Sequence, residues 1–356
     1  MSNRGLRVCV PRFAGHLYLG RDVFDNLRMV TTSRINPTRS LLVLIFLLTV
    51  TCAASQSGVM NGLAVSPDGK LILVTYEKDQ AAFIYKVSVE TGVATRLTKV
   101  DTGWKSSPSF SADGKQIAYS YTPNKEARSR IIIANVDGSD ARQWSPAEVA
   151  DLSPVFSPDG KAIVFSRAAF YGTYSPIAQP HPHEWNFYAS DLDGKNVRQL
   201  TTESFYMVSP ASISPDGKKM VIVTEGVETS KHIAVYSTTQ PGPPLQTFQP
   251  HVPKEVDHKN PIFDYPNYLP DGSIIFMAAN RRFDYDVYRF SPDTGTIEKL
   301  TDENGYATDL KVSADGKTAV LLKWRKNWVG DLKGNQVYML DLQRHKLTPL
   351  NISGLN

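Results

Sequence analysis

The chain has 356 residues, with 39 Lys and Arg against 35 Asp and Glu, a formal charge of +4. At 41% hydrophobic and 21% charged residues it holds ample apolar material for a buried core, which excludes a largely disordered chain. Gly and Pro number 23 each without a triplet or heptad, excluding collagen and coiled coil, and two Cys exclude a disulfide scaffold or multi-cysteine zinc module.

The first predicted element is a targeting segment. Residues 41–50 read LLVLIFLLTV and lead into Thr51, Cys52, Ala53, Ala54 and Ser55. A membrane-spanning helix needs about 20 apolar residues, whereas a secretory h-region needs roughly 7 to 15 followed by small residues. The stretch therefore reads as a signal peptide cleaved after Ala54 or Ser55. Arg34 and Arg39 form its basic n-region, which points to a translation start at Met29 within an over-extended N-terminus. Cys52 leaves a lipid-anchored alternative, although Thr49, Val50 and Thr51 depart from the usual lipoprotein signature. Residues 1–40 carry seven Arg against two Asp and residues 41–55 no charge, so cleavage turns +4 into −1 and removes both cysteines. Residues 1–55 are thus read as the leader and 56–356 as the working domain, periplasmic or secreted.

From residue 61 onward one phrase recurs. It stands as Ser66-Pro67-Asp68-Gly69-Lys70, Ser111-Ala112-Asp113-Gly114-Lys115, Ser157-Pro158-Asp159-Gly160-Lys161, Ser214-Pro215-Asp216-Gly217-Lys218, Leu269-Pro270-Asp271-Gly272-Ser273 and Ser313-Ala314-Asp315-Gly316-Lys317. Its aspartates are 45, 46, 57, 55 and 44 residues apart. Asp-Gly supplies the positive-φ turn that joins antiparallel neighbours. Four and six residues past each Asp stand Ile72/Val74, Ile117/Tyr119, Ile163/Phe165, Met220/Ile222, Ile275/Met277 and Ala319/Leu321, a period of two that places each pair on one face of a second strand. Third strands follow at Ile131-Ile132-Ile133, Asn186-Phe187-Tyr188, Val287-Tyr288-Arg289 and Val337-Tyr338-Met339. Second turns come at Thr91-Gly92, Asp137-Gly138, Asp193-Gly194 and Thr294-Gly295. Fourth strands end in Arg96-Leu97-Thr98, Gln199-Leu200-Thr201 and Lys299-Leu300-Thr301. One such sheet cannot bury both faces, and radial stacking of six does. The expected fold is an all-β, six-bladed propeller of four-stranded antiparallel blades, closing without a strand borrowed from the N-terminus.

These phrases resemble the Pro-Asp repeats of the TolB-like six-bladed β-propeller family, over all six units. The resemblance implies the fold; its shared residues are turn and strand residues and carry no activity. Propellers of prolyl oligopeptidases are similar, but no Gly-x-Ser-x-Gly nucleophile elbow occurs here.

Long connections mark where a ligand is to be sought. The two longest are Arg167–Asn186 in blade three and Gln249–Pro266 between blades four and five, both on the face opposite the Asp-Gly turns. The first holds Phe170, Tyr171, Tyr174, His181, His183, Glu184 and Trp185; the second holds His251, His258, Asp264 and Tyr265. Nearby connections add Phe205, Tyr206, Arg281, Arg282, Tyr285, Trp324 and Arg325. Tyr and Trp beside Arg are recognition chemistry, so Tyr171, Tyr174, Trp185, Tyr206, Arg281, Arg282, Tyr285, Trp324 and Arg325 are the ligand-binding candidates. The expected role is a non-catalytic module for a protein, peptide or glycan, requiring no cofactor. The alternative is a metal-dependent carbohydrate-active enzyme resembling the oligogalacturonate lyases, with a divalent metal on His181, His183, Glu184, His251 and His258, since imidazole and carboxylate suit Zn, Mn or Fe. No phosphate loop or basic stripe points to nucleic acid.

Overall fold

The computed structural model describes residues 58–100, 102–123, 128–173, 181–206, 208–224, 232–249, 262–279, 284–302, 305–324 and 334–355. Every regular element among them is a strand. The strands form six four-stranded antiparallel sheets, each built from strands consecutive in sequence. Blade one runs 59–96, two 104–143, three 151–199, four 212–248, five 262–299 and six 307–349.

The turn phrase is rigid for a local reason. In blades one, two, three, four and six the serine hydroxyl donates to the aspartate two residues on, at 2.6 to 2.7 Å. The same oxygen accepts the backbone N–H five residues after the serine, at 2.9 to 3.1 Å. The aspartate's other bond comes from the N–H of the residue after glycine. These bonds hold each turn aspartate's pKa below the ordinary carboxylate value, the serine contributing most. The glycine takes φ between +67° and +82° in all six turns, a region that costs other residues energy.

Blade five departs from this plan. Leu269 replaces the serine, and Ser273, beyond the glycine, donates to Asp271 at 2.6 Å instead. Its hairpin closes one residue earlier, pairing Tyr268 with Ile274, where blade one pairs Val65 with Ile72. A one-residue change reverses the faces of a strand. Ile275 and Met277 therefore pack toward blade six, whereas their counterparts in the other blades pack toward the preceding blade.

A second device explains the Leu-Thr endings. Thr98, Thr201 and Thr301 each accept the N–H of the third-strand residue fourteen positions earlier, Ile84, Phe187 and Val287. The leucine before each threonine donates to the carbonyl of that same third-strand residue. Ser145 and Trp144 do the same on Ile131. One dipeptide thus satisfies both outward groups of the strand once the short fourth strand has ended.

The core lies between blades. Six apolar clusters among the described residues each span one pair of neighbouring blades, including six against one. The expectation of one apolar face per second strand is exceeded. Ile72 and Val74 pack toward blade six and Leu73 toward blade two, all fully buried.

Closure uses contiguous strands, with an addition. Past the last strand, Leu350, Ile352 and Leu355 pack on blade one's core. Ser353 bridges in parallel to Val93, with Ala94 N–H donating to the Ser353 carbonyl at 2.8 Å and Ser353 N–H to the Gly92 carbonyl at 3.0 Å. A Cβ at Gly92 would lie 2.0 Å from the Asn351 carbonyl, so glycine is required there. Asn335 adds bonds to the backbone of Met60 across the same seam.

Except between blades three and four, the first strands of neighbouring blades lie against one another around the axis. Five of them bulge at the residue six before the turn aspartate, where Gly62, Ser107, Ser153, Tyr265 and Asp309 take φ between +50° and +60°. Blade four has Pro210 at that place, which cannot adopt positive φ, and its first strand is only Ser212–Ile213.

Ser157→Ala removes a donor and an acceptor of one turn and should cost about 1–2 kcal/mol, lowering the melting temperature by about 2–4 °C per kcal/mol. Asp159→Ala should cost a similar amount, and the double variant less than the sum, because both remove the same bond. Additive losses in thermal unfolding would show that the two residues act separately.

Candidate functional site

Blade three differs from the others in length. Its second and third strands, Ala162–Gly172 and His181–Asp191, each have 11 residues, against six to eight elsewhere. They stay paired out to Gly172 and His181. The span 167–186 is therefore largely a two-stranded ribbon, and only 174–180 lie outside the described residues. Proline 182 is tolerated because the ribbon outruns its flanking strands. Asp264 and Tyr265, expected in the second insertion, instead belong to blade five's first strand, Ile262–Tyr268.

The ribbon is anchored at its base. Arg167 Nε and Nη2 donate to the two oxygens of fully buried Asp151 at 2.7 and 2.9 Å, and the guanidinium lies 5.2 and 5.5 Å from the rings of Phe165 and Tyr188. The hydrogen bonds it donates to Asp151 raise the arginine's pKa further, so it stays charged. Asn186 accepts from the Thr201 hydroxyl at 3.0 Å and from Ser204 N–H at 3.3 Å, tying the ribbon to the connection that leads to blade four.

The candidate side chains separate into three environments. Trp185 is buried, exchanges two backbone hydrogen bonds with Phe205 at 3.0 and 2.8 Å, and joins the core between blades three and four. It braces the ribbon, and Phe205 is buried with it. Tyr171 and Tyr206 are 39% and 62% exposed. The Arg128 guanidinium lies 4.5 Å from the centre of the Tyr171 ring. Tyr285 and Trp324 meet through Tyr306, at 5.7 Å edge-on and 6.1 Å. The Tyr285 hydroxyl donates to Asp264 Oδ2 at 2.9 Å, and Tyr285 is buried while Trp324 is partly exposed. Burial pushes the Tyr306 phenol up to about 12. Sequence reasoning missed Arg128 and Tyr306, which sit in short connections with no motif around them.

His181 and His183 occupy alternate positions of one strand, and their rings lie 3.8 Å apart at 50°. His183 is buried and hydrogen-bonded to the backbone of Gly172; burial and then the neighbouring His181 hold its pKa below the ordinary imidazole value. Glu184, next along, is exposed with φ +56°. Among the described residues no three His, Cys, Asp or Glu are grouped to hold a metal. Tyr174, His251, His258, Arg281, Arg282 and Arg325 lie outside the described residues.

The ribbon end, Tyr206 and the Tyr285–Tyr306–Trp324 group all lie where second strands end and third or first strands begin, at the end opposite the Asp-Gly turns. Residues 36–173 match the TolB beta propeller domain. An uncharacterized protein of Agrobacterium fabrum is 31% identical over 163 residues, covering 44% of this chain and 52% of that protein. The Tol-Pal system protein TolB of Francisella tularensis is 29% identical over 167 residues, covering 46% of this chain and 35% of that one. The chain thus spans roughly half or less of these curated relatives. Among solved structures, TolB from Acinetobacter baumannii aligns with a TM-score of 0.54 at 16% identity, over 85% of this chain and 66% of that one. An oligogalacturonate lyase in complex with manganese aligns with 0.53 at 15% identity, over 82% and 77%. At these identities both structures speak for the fold alone, the six-bladed β-propeller that the described strands form, and residues 36–173 are what this chain shares with the TolB beta propeller domain.

Proposed function

We propose that the protein is an exported propeller that works as a non-catalytic binding module, holding a protein, peptide or glycan on the face opposite its Asp-Gly turns. Blade three's ribbon supports this most. It outruns its sheet, is anchored by a buried ion pair, and carries exposed Tyr171 beside a connection that exposes Tyr206. Rigid amphipathic rings on a fixed support are the usual anchors of recognition surfaces. The Tol-Pal system named for the Francisella relative favours a protein partner. Export rests on the leader read in residues 41–55.

Purified protein screened by biolayer interferometry on oligosaccharide and peptide panels should yield a ligand whose affinity falls about tenfold or more in Tyr206→Ala and Tyr171→Ala. Both variants should keep the wild-type melting temperature within a few degrees. Trp185→Ala, by contrast, should destabilise by about 3–5 kcal/mol, because it empties a core position. A ligand bound equally well by both tyrosine variants would place the binding face elsewhere.

A second reading has its own support in the adjacent rings of His181 and His183. Two imidazoles on one face of a strand are half of a four-ligand site, and a hydrogen bond to backbone on the inner ring fixes its orientation as metal ligands require. A divalent metal there would act as a Lewis acid on a carbohydrate substrate, with His251 and His258 as the further ligands. Mn, Zn and Ca added singly to the wild type and to His183→Ala test this reading. A melting shift in the wild type that is lost in the variant supports the metal site, and no shift with any of the three removes it.

A further inference from the structure

Three arginines among the described residues lie against aromatic rings, and two of them show how such a guanidinium is completed. Arg96 stands 4.0 Å from the centre of the Phe83 ring and donates from Nε to the Thr98 carbonyl at 2.8 Å. Arg167 stands 5.2 Å from the centre of the Phe165 ring and donates from two nitrogens to Asp151. Ring contact places a guanidinium without using its fork of N–H donors, which an oxygen acceptor then completes. Arg128 is the third, 4.5 Å from the centre of the Tyr171 ring. It is exposed, and no described residue supplies the acceptor.

The contact is supported from both of its blades. Arg128 stands in blade two, two residues before the strand Arg130–Asn135, and Tyr171 stands on the ribbon of blade three. Ser129 is buried, and its carbonyl accepts the Asp151 N–H at 3.0 Å. The main chain beside Arg128 is thereby tied to the residue whose carboxylate anchors the ribbon. Ile163 and Phe165 pack toward blade two, and the period of two carries Tyr171 to that same side. With Tyr171 39% exposed, the pair stands open to solvent where the two blades meet. The sequence of the connection, residues 123–130, carries Lys125, Arg128 and Arg130 against Glu126, an excess of positive charge that attracts an anion.

We propose that Arg128, seated against Tyr171, is the carboxylate-binding point of the face described above, and that its partner is an acidic protein segment presenting Asp or Glu. The proposal rests on the binding-module reading and names the chemistry of its partner. A guanidinium already placed by a ring and a tied main chain loses little freedom on binding. It offers one carboxylate two parallel N–H donors, as Arg167 does to Asp151 on the same side of blade three.

Fluorescence anisotropy with a labelled, capped peptide of alternating Glu and Ser, and with its Gln and Lys counterparts, tests this on the intact chain. The Glu peptide should bind about tenfold or more tightly than either counterpart, with an affinity that falls as salt rises. Arg128→Ala should weaken it about tenfold, and Arg128→Lys should recover only part of the loss, because an ammonium lacks the planar fork. Tyr171→Phe, which keeps the ring, should bind as the wild type does. Arg142→Ala removes the same charge from blade two's outer strand, Arg142–Gln143, and should leave binding unchanged. No binding of the Glu peptide, equal binding of the Gln peptide, or equal binding by Arg128→Ala would each overturn the proposal. So would an Arg142→Ala loss as large as that of Arg128→Ala, which would mark attraction to net charge alone. A panel ligand that weakens in Tyr206→Ala but is indifferent to Arg128→Ala would overturn the carboxylate assignment and leave the binding face standing.

Discussion

A sheet whose second strand is apolar on both faces has no stable existence alone, and the rest of this structure follows from that constraint. Each blade offers one side to the blade before it and the other to the blade after, so the core is divided into six seams. Blade five shows how strongly the constraint acts. Its shorter hairpin exchanges the two faces of the second strand, and both faces remain apolar from Ile274 to Ala279, so the seams on either side are still filled. The seam between blades six and one joins segments farthest apart in sequence. It is reinforced by Asn335 on Met60 and by the tail across Val93 and Ala94.

What could be read from sequence was what local chemistry repeats. The Asp-Gly turn needs a glycine at positive φ and a hydroxyl to hold the aspartate, so six copies in phase disclose blade number and strand order. The Leu-Thr endings were visible as a pattern, although their purpose required the bonds to Ile84, Phe187 and Val287. In the sequence the ribbon has the look of a loop, because prolines 180 and 182 and the histidines interrupt any strand signal. Strand propensity there is overridden by pairing with Ala162–Gly172. The axial bulges carry no residue signature, since Gly, Ser, Tyr and Asp all occupy them. The tail's contact with blade one depends on sequence-distant packing that no local window contains.

The same division separates fold from function. Residues that recur in every blade hold turns and seams; residues that occur once hold what is particular to this chain. Trp185 was placed among recognition residues on composition, yet its indole completes a seam and its backbone fixes Phe205. Tyr171 and Tyr206 remain exposed, and the ion pair of Arg167 with Asp151 stands at the base of the ribbon that carries Tyr171. Likeness to TolB and to a lyase, at 16% and 15% identity, speaks for the fold and not for the residues that occur once.

The central claim is that the core is divided into seams that each hold their own two blades, and hydrogen exchange at the seam between blades six and one tests it most directly. Amide protection would be mapped by mass spectrometry on the chain and on a form ending before Leu350. The account predicts that protection falls in blade one, residues 59–96, and in blade six, residues 307–349, while blades two to five keep theirs. Unchanged protection throughout, or a loss spread evenly over all six blades, would contradict it.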